Sequence, residues 1–132
     1  MATNLYLADT HALFWQLTAH PNLSAAAARV FQESSAGNAS VLVSHVVVAE
    51  LFYLLTKVGR AGLFDQAVQS VRNSPAYQVA PLIMGDLIRL PDFTEIPEMH
   101  DRLIAIQANR LGATILTKDA SIRASKQIQC LW

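Results

Sequence analysis

Residues 41–58 read Val41-Leu42-Val43-Ser44-His45-Val46-Val47-Val48-Ala49-Glu50-Leu51-Phe52-Tyr53-Leu54-Leu55-Thr56-Lys57-Val58. The stretch is long and apolar enough to resemble a membrane span. Two residues decide against that reading, because Glu50 near its centre and His45 beside it are costly in hydrocarbon. Ser44 offers the alternative: its hydroxyl can cap a helix from about His45 to Lys57, which Gly59 closes. Val41-Leu42-Val43 is then a strand feeding that helix. Such a unit belongs to a parallel sheet buried on both faces.

The same alternation extends to both ends of the chain. Upstream, Leu5 to Ala8 reads as a buried strand, followed by a short helix through Leu13, Phe14 and Leu17 that Pro21 and Asn22 end. Ser24 caps an alanine-rich helix over Ala25 to Gln32, and Gly37-Asn38 marks a turn. Downstream, Gly62 begins a helix through Phe64, Val68 and Val71 that Pro75 terminates. Tyr77 to Ala80 is a third strand, and Leu82 to Leu90 a short helix ending before Pro91. Pro97 sits in the first turn of the next helix, which Gly112 stops. Thr114 to Leu116 is a fourth strand, Asp119 to Lys126 a final helical turn or two, and Ile128 to Leu131 a weak edge strand. The expectation is an α/β fold with a central parallel sheet of four to five strands flanked by helices. No linker, repeat or low-complexity segment divides residues 1–132, which predicts a single domain.

Composition narrows the class. The chain has 132 residues, 52% of them hydrophobic and 15% charged, and favours a compact fold over disorder. Ten basic and ten acidic side chains cancel, so any polyanion must be met by a local patch and not a global field. Mean hydropathy of +0.28 hints at apolar surface used in association. The lone Cys130 cannot form an internal disulfide and fits a reducing cytoplasm. No secretory signal is visible, since the first basic residue is Arg29 and Asp9 and His11 interrupt the opening apolar stretch. No membrane partner is expected.

Four acids stand in apolar surroundings that predict burial: Asp9 after Leu5-Tyr6-Leu7-Ala8, Glu50 within Val46 to Phe52, Asp101 before Leu103-Ile104-Ala105-Ile106, and Asp119 after Thr114 to Lys118. Burying one unpaired carboxylate costs several kcal/mol, roughly. Asp9 and Asp119 follow strands, at the sheet edge where α/β folds bind ligands. Asp101 opens a helix and shares its inward face with Ile104, Ala105 and Ala108. Glu50 has Val46, Val47, Tyr53 and Leu54 as helical neighbours. Periodicity thus directs four carboxylates from four elements to one rim, where they titrate as a coupled set with some pKa values raised. A hard divalent cation, Mg²⁺ or Mn²⁺, relieves the repulsion and suits phosphodiester hydrolysis.

These residues resemble a known family. Leu7-Ala8-Asp9-Thr10-His11-Ala12-Leu13, Ser44 to Leu51, Pro97-Glu98-Met99-His100-Asp101-Arg102-Leu103-Ile104 and Gly112-Ala113-Thr114-Ile115-Leu116-Thr117-Lys118-Asp119 together resemble PIN domains. Within these, they are similar to the toxin subunits of bacterial VapBC toxin–antitoxin systems. The resemblance implies a three-layer Rossmann-like fold and a Mg²⁺- or Mn²⁺-dependent ribonuclease. Its catalytic acids would be Asp9, Glu50, Asp101 and Asp119, with Asp9, Asp101 and Asp119 as metal ligands. It also implies frequent homodimers and a small antitoxin that lays a peptide across the active-site groove. Two departures bear on metal number: Ser121 stands where many relatives place an acid or Asn after the fourth acid, and Glu95-Ile96-Pro97-Glu98 replaces an Asp-Pro pair.

Around the acids, Thr10, Ser44, Thr117 and Ser121 carry hydroxyls that can orient water or phosphate, although Ser44 has its capping role. Arg102, Lys118, Arg123 and Lys126 form a candidate local basic patch for RNA phosphates. Thr10, Arg102, Thr117, Lys118 and Ser121 are therefore the expected substrate contacts. His11 and His100 invite a general-base reading, but metal-activated water needs no imidazole and a packed or solvated histidine is simpler. Each acid has a plainer account too: Asp9 and Asp119 as helix caps, Glu50 in an ion pair with Arg102 or Lys118, Asp101 complementing a helix dipole. Other functions compatible with the pattern are a nuclease of RNA processing or DNA without an antitoxin, and a domain that binds metal without cleaving. A phosphoacceptor is disfavoured, because Asp9 stands alone and no Asp adjoins the third strand.

Overall fold

The computed structural model describes residues 4–132; the first three residues of the expected domain lie outside the described residues. Five strands, β1 (Leu5–Ala8), β2 (Ser40–Ser44), β3 (Tyr77–Ala80), β4 (Thr114–Leu116) and β5 (Cys130–Leu131), form one sheet in the order β3-β2-β1-β4-β5. Every pairing is parallel. Helices α1 (Thr10–Leu17), α2 (Ala25–Ser35), α3 (His45–Lys57), α4 (Phe64–Asn73), α5 (Met84–Leu87), α6 (Met99–Leu111) and α7 (Ala120–Arg123) flank it, in the three-layer α/β arrangement the alternating pattern predicts. Short 3-10 turns cover Ala61–Leu63 and Leu90–Phe93. Among the described residues no helix is long and apolar enough to cross a membrane.

The chain moves outward from β1 through β2 to β3, then returns to the other side of β1 for β4 and β5. This reversal falls between β1 and β4, where Ala8 registers with Leu116. Side by side, those strands send their following loops apart, and a crevice opens beyond their carboxyl ends. Asp9 leaves β1 there, its backbone N–H donating to Leu116 O at 3.1 Å.

Strand interiors are apolar because both faces are covered: Leu7, Ala8, Val41, Val43, Ile115 and Leu116 are fully buried. Each buried Leu or Ile contributes roughly 1.5–3 kcal/mol over its exposed state. Capping chemistry sets the helix ends. Ser44 Oγ accepts from Val46 N at 3.0 Å to start α3, and Ser24 Oγ accepts from Ala27 N at 3.1 Å to start α2. Gly112, at φ 68°, turns the chain out of α6 in a conformation costly for other residues.

Two buried polar links join α6 to its neighbours. The fully buried Asp86 of α5 accepts from Arg110 Nε at 2.6 Å and Nη2 at 3.1 Å, and its Oδ2 also accepts from Ile83 N at 3.1 Å. Gln107, also fully buried, accepts from the Ser44 hydroxyl and donates to Ala80 O and Pro81 O at 3.3 Å each. The ends of β2 and β3 are thereby fastened to one face of α6.

Two expected boundaries shift. The helix predicted over Leu82 to Leu90 is only α5, and Pro91 lies inside the following 3-10 turn rather than beyond a helix. Proline lacks the N–H that would bond back to Leu87 O, so an α-helix cannot run through it, yet it fits the start of a new turn. Pro97 also stands outside α6, because Glu98 takes the cap position with its Oε2 accepting from Asp101 N at 2.8 Å.

Candidate active site

The crevice at the strand reversal is a cavity of ≈ 910 Å³. All four predicted acids line it, together with a fifth, Glu98. Asp9 arrives from the end of β1 and Asp119 from the loop after β4, while Glu50 comes from the middle of α3. Glu98 caps α6 and Asp101 comes from its first turn. Their exposure is graded: Asp9 is 7% exposed, Glu50 and Asp101 are half-buried, and Asp119 is exposed. The expectation of four buried acids is corrected accordingly. Apolar neighbours in sequence belong to the strands and helix faces behind these positions, while the acids themselves stand at element ends or face the cleft.

Each acid is held by its own element. Asp9 caps α1, its Oδ1 accepting from Ala12 N at 2.8 Å. Asp119 caps α7, and its Oδ1 accepts from Ser121 N at 2.8 Å, Ser121 Oγ at 2.6 Å and Ile122 N at 3.2 Å. Those three donors converge on one oxygen. Glu50 Oε1 accepts from Thr10 Oγ1 at 2.8 Å, and Oε2 lies 3.7 Å from His100 Nδ1. His100 Nδ1 is itself 2.6 Å from Glu98 Oε1. Oxygen and nitrogen donors of Glu50, Glu98 and His100 fall within 4.8 Å of one another. The capping role of Asp9 and Asp119 is therefore real and coexists with their place in the cavity.

Electrostatics follow from this crowding. Burial first, then the charges of Asp119, Glu98, Glu50 and Asp9, push the Asp101 carboxyl up to about 7. Burial likewise raises Asp9 against hydrogen bonds from Thr117 and Ala12, and raises Glu50 against the bond from Thr10. For Asp119, partial burial works upward, but hydrogen bonds from Ser121 and Ile122 outweigh it and hold the carboxyl low. The hydrogen bond to Glu98, with Glu50 behind it, raises His100. Hard oxygen donors at mutual electrostatic cost are the donor set that Mg²⁺ or Mn²⁺ prefers. Among the described residues, the group close enough to share one cation is Glu50, Glu98 and His100, while Asp9, Asp101 and Asp119 line the same cavity.

The expected substrate contacts divide. Lys118 lines the cavity, and so does Thr10, although it is only 8% exposed and committed to Glu50. Thr117 is fully buried and accepts from Asp119 N at 3.0 Å, which holds the loop that carries Asp119. Ser121 serves Asp119. Arg102 is turned away, donating to Ile96 O at 2.7 Å and Leu90 O at 3.3 Å, which removes it from the basic patch and from pairing with Glu50. The cleft also recruits Trp15, Tyr53 and Lys57, which sequence reasoning passed over. Glu98 was recognisable from its spacing, three residues before Asp101, the interval at which a cap side chain reaches a backbone N–H.

Comparison with known proteins places this geometry. The curated proteins contain no match. Among solved structures, the crystal structure of VapBC2 from Rickettsia felis bound to a DNA fragment from their promoter is similar, with a TM-score of 0.75 and 16% identity. The alignment covers 96% of this chain and 97% of that one, a likeness of fold. Residues 6–126 match the family described as PIN domain. With that match spanning all four acid-bearing segments, the chain belongs to the PIN domain family.

Proposed function

We propose that this protein is a Mg²⁺- or Mn²⁺-dependent endoribonuclease, the toxin of a VapBC-like toxin–antitoxin pair, acting in the cytoplasm as one domain. PIN domains are nucleases, and the observation that carries the finer reading is the convergence of five carboxylates at the strand reversal. Such a set is electrostatically unfavourable alone and is relieved by a divalent cation. When bound, that cation supplies charge neutralisation at a phosphoryl oxygen and a more acidic water. Asp9, Asp101 and Asp119 are the ligands proposed to hold it.

The remaining work falls to the chain. Asp9 and Asp119 are fixed by the caps they make, so their geometry is set before substrate arrives. Glu50, oriented by Thr10, positions water against the phosphodiester. Lys118 and Lys57 draw the polyanion towards a cleft whose acids would otherwise repel it. Structural likeness to the VapBC2 complex supports a small antitoxin as partner and inhibitor. Exposed Phe52, Tyr53, Ile83, Met84, Ile88 and Met99 offer apolar surface for it and for a homodimer.

The test is cleavage of cellular RNA by purified protein with Mn²⁺, Mg²⁺ or EDTA, beside Asp9→Asn. Activity that requires the cation and disappears in a folded Asp9→Asn variant supports the reading. Cleavage that persists in that variant overturns it. Growth arrest on expression, relieved by a small protein encoded beside the gene, separates a toxin from a nuclease of RNA processing.

A further inference from the structure

Besides the carboxylates, the cleft is lined by Trp15 of α1, by Tyr53, Leu54 and Lys57 of α3, and by Lys118. Trp15 follows His11 by one helical turn, so both project from the same face of α1, with ring centroids 5.4 Å apart. Trp132 packs at a tilt of 56° with centroids 5.7 Å from Trp15, and His20 stacks on it at 5.7 Å and 26°. His20 reaches that position because Ala19 adopts φ 51°, a left-handed conformation that costs an alanine energy. The turn is sealed by His20 N donating to Trp15 O at 2.8 Å. An indole braced by three rings is a rigid platform, yet Trp15 stays half-buried and open to the cavity. Lys118 Nζ stands 6.0 Å from its ring centroid, at the outer reach of a cation–π contact. A flexible side chain held that loosely is readily displaced by a stacking group.

We propose that this lining is a nucleobase subsite: an unpaired base of single-stranded RNA stacks on Trp15 while Lys118 and Lys57 take the phosphates beside it. An adjacent phosphodiester is thereby presented to the carboxylates. The inference rests on the nuclease reading for its purpose but not for its measurement. Charge complementarity selects the occupant. A flat aromatic face with Lys118 against it and Lys57 in the same cleft matches a base with its phosphates, whereas an apolar peptide offers neither lysine an anion. Stacking of this kind is tolerant of sequence and needs an unstacked base, which points to single-stranded or looped RNA and not a continuous duplex.

The experiment uses the 132-residue protein carrying Trp132→Phe, so that Trp15 is its sole tryptophan. In EDTA, which prevents cleavage, its fluorescence is titrated with a five-nucleotide single-stranded RNA and with the same backbone lacking its bases. The expected result is saturable quenching by the RNA and affinity at least about tenfold weaker for the abasic chain. Trp15→Leu, which keeps apolar bulk, is followed by anisotropy of labelled RNA. It should lose about tenfold in affinity for the base-bearing oligonucleotide and nothing for the abasic one, whereas Trp15→Phe should retain most of the difference. Equal affinity for the two oligonucleotides, or equal affinity of the leucine and phenylalanine variants, overturns the proposal. Unchanged RNA affinity in Trp15→Leu, together with loss of a co-purifying small protein partner, assigns the lining to protein and overturns the proposal as well. Failure of the nuclease reading would show separately, as absence of metal-dependent cleavage by a protein whose Trp15 still distinguishes base from backbone.

Discussion

Thr10 Oγ1 donates to Glu50 Oε1 at 2.8 Å, fastening the first turn of α1 to the middle of α3 across 40 residues of sequence. Thr10 is only 8% exposed, so water is poorly placed to replace it. Burial raises the Glu50 carboxyl and this bond works against that rise. Thr10→Val keeps the shape and deletes the hydrogen. We expect Glu50 to ionise at higher pH, so the acid limb of the pH–kcat/KM profile for RNA cleavage moves upward. Stability should fall by about 1 kcal/mol, and cleavage at neutral pH by about tenfold, less than the roughly 10²–10⁴-fold that losing a positioned acid–base group outright would cost. Thr10→Ser should restore both. An acid limb that stays in place in Thr10→Val would show that Glu50 is oriented by something else.

Asp101 makes the metal-free protein pH-sensitive in an unusual direction. Its carboxyl is pushed up to about 7 by burial and then by Asp119, Glu98, Glu50 and Asp9, against about 3.9 in an unfolded chain. Between those values the folded state keeps a proton that the unfolded state has released, so stability declines as pH rises from about 4 to about 7. Solvent reaches this half-buried group, which reduces the effect to about 1–2 kcal/mol. Asp119 and Glu98 are held low and contribute the opposite slope at more acidic pH. The difference between wild type and Asp101→Asn isolates the residue. Thermal unfolding in EDTA should show the variant gaining on wild type as pH rises from 5 to 8. Mn²⁺ at a hundredfold excess over its Kd should then stabilise wild type by about 2.7 kcal/mol at pH 8, and less at pH 5, where protons compete. Identical pH slopes for the two proteins would remove Asp101 from the coupled set.

The sheet and most caps are legible in the sequence because the signals are local. Val41 to Val43 and Thr114 to Leu116 are apolar runs, and Ser24, Ser44, Gly59 and Gly112 act on backbone groups within a turn of themselves. Strand order is not legible, because it depends on which way each crossover returns. Asp9 and Asp119 announce themselves by following strands, whose carboxyl ends face the crevice in any parallel sheet. Arg102 misleads for a physical reason: a long side chain near the start of α6 can reach solvent, the cleft or the preceding loop, and here the carbonyls of Ile96 and Leu90 capture it. Trp15 and Tyr53 are not legible as cleft residues, since apolar periodicity does not separate a residue lining a cleft from one packed beneath it.

A buried ion pair fixes the outer end of α6. Asp86 is fully buried and receives both Nε and Nη2 of Arg110. Removing the cation strands a carboxylate in the interior, which costs more than the pair contributes when intact. Arg110→Met should therefore destabilise by about 3 kcal/mol, read as a lower urea midpoint with an unchanged slope. The double variant Asp86→Leu with Arg110→Met removes both charges and should recover most of that loss. A double variant as unstable as the single one would mean the pair is needed for more than charge balance, such as the bond from Ile83 N to Asp86.

Gln107 links stability to the site. Its amide oxygen accepts from Ser44 and its nitrogen donates to Ala80 O and Pro81 O, both at 3.3 Å, so one side chain holds the ends of β2 and β3 against α6. The same helix carries Asp101 in its first turn. Gln107→Leu fills the volume but leaves a buried hydroxyl and two carbonyls without this partner, at about 2–3 kcal/mol. Gln107→Glu distinguishes lost shape from lost polarity. A carboxylate still accepts from Ser44, but it faces two carbonyl oxygens that it can satisfy only when protonated. We expect Gln107→Glu to approach wild-type stability at pH 5 and to fall well below it at pH 8, while Gln107→Leu is equally impaired at both. Since burial raises the folded-state pKa of such a carboxyl, the sign follows the logic at Asp101: stability is lost as pH rises past the unfolded value. Denaturation of both variants in EDTA at the two pH values decides it, and a Gln107→Glu protein indifferent to pH would show that the Ala80 and Pro81 contacts contribute nothing to holding α6 in place.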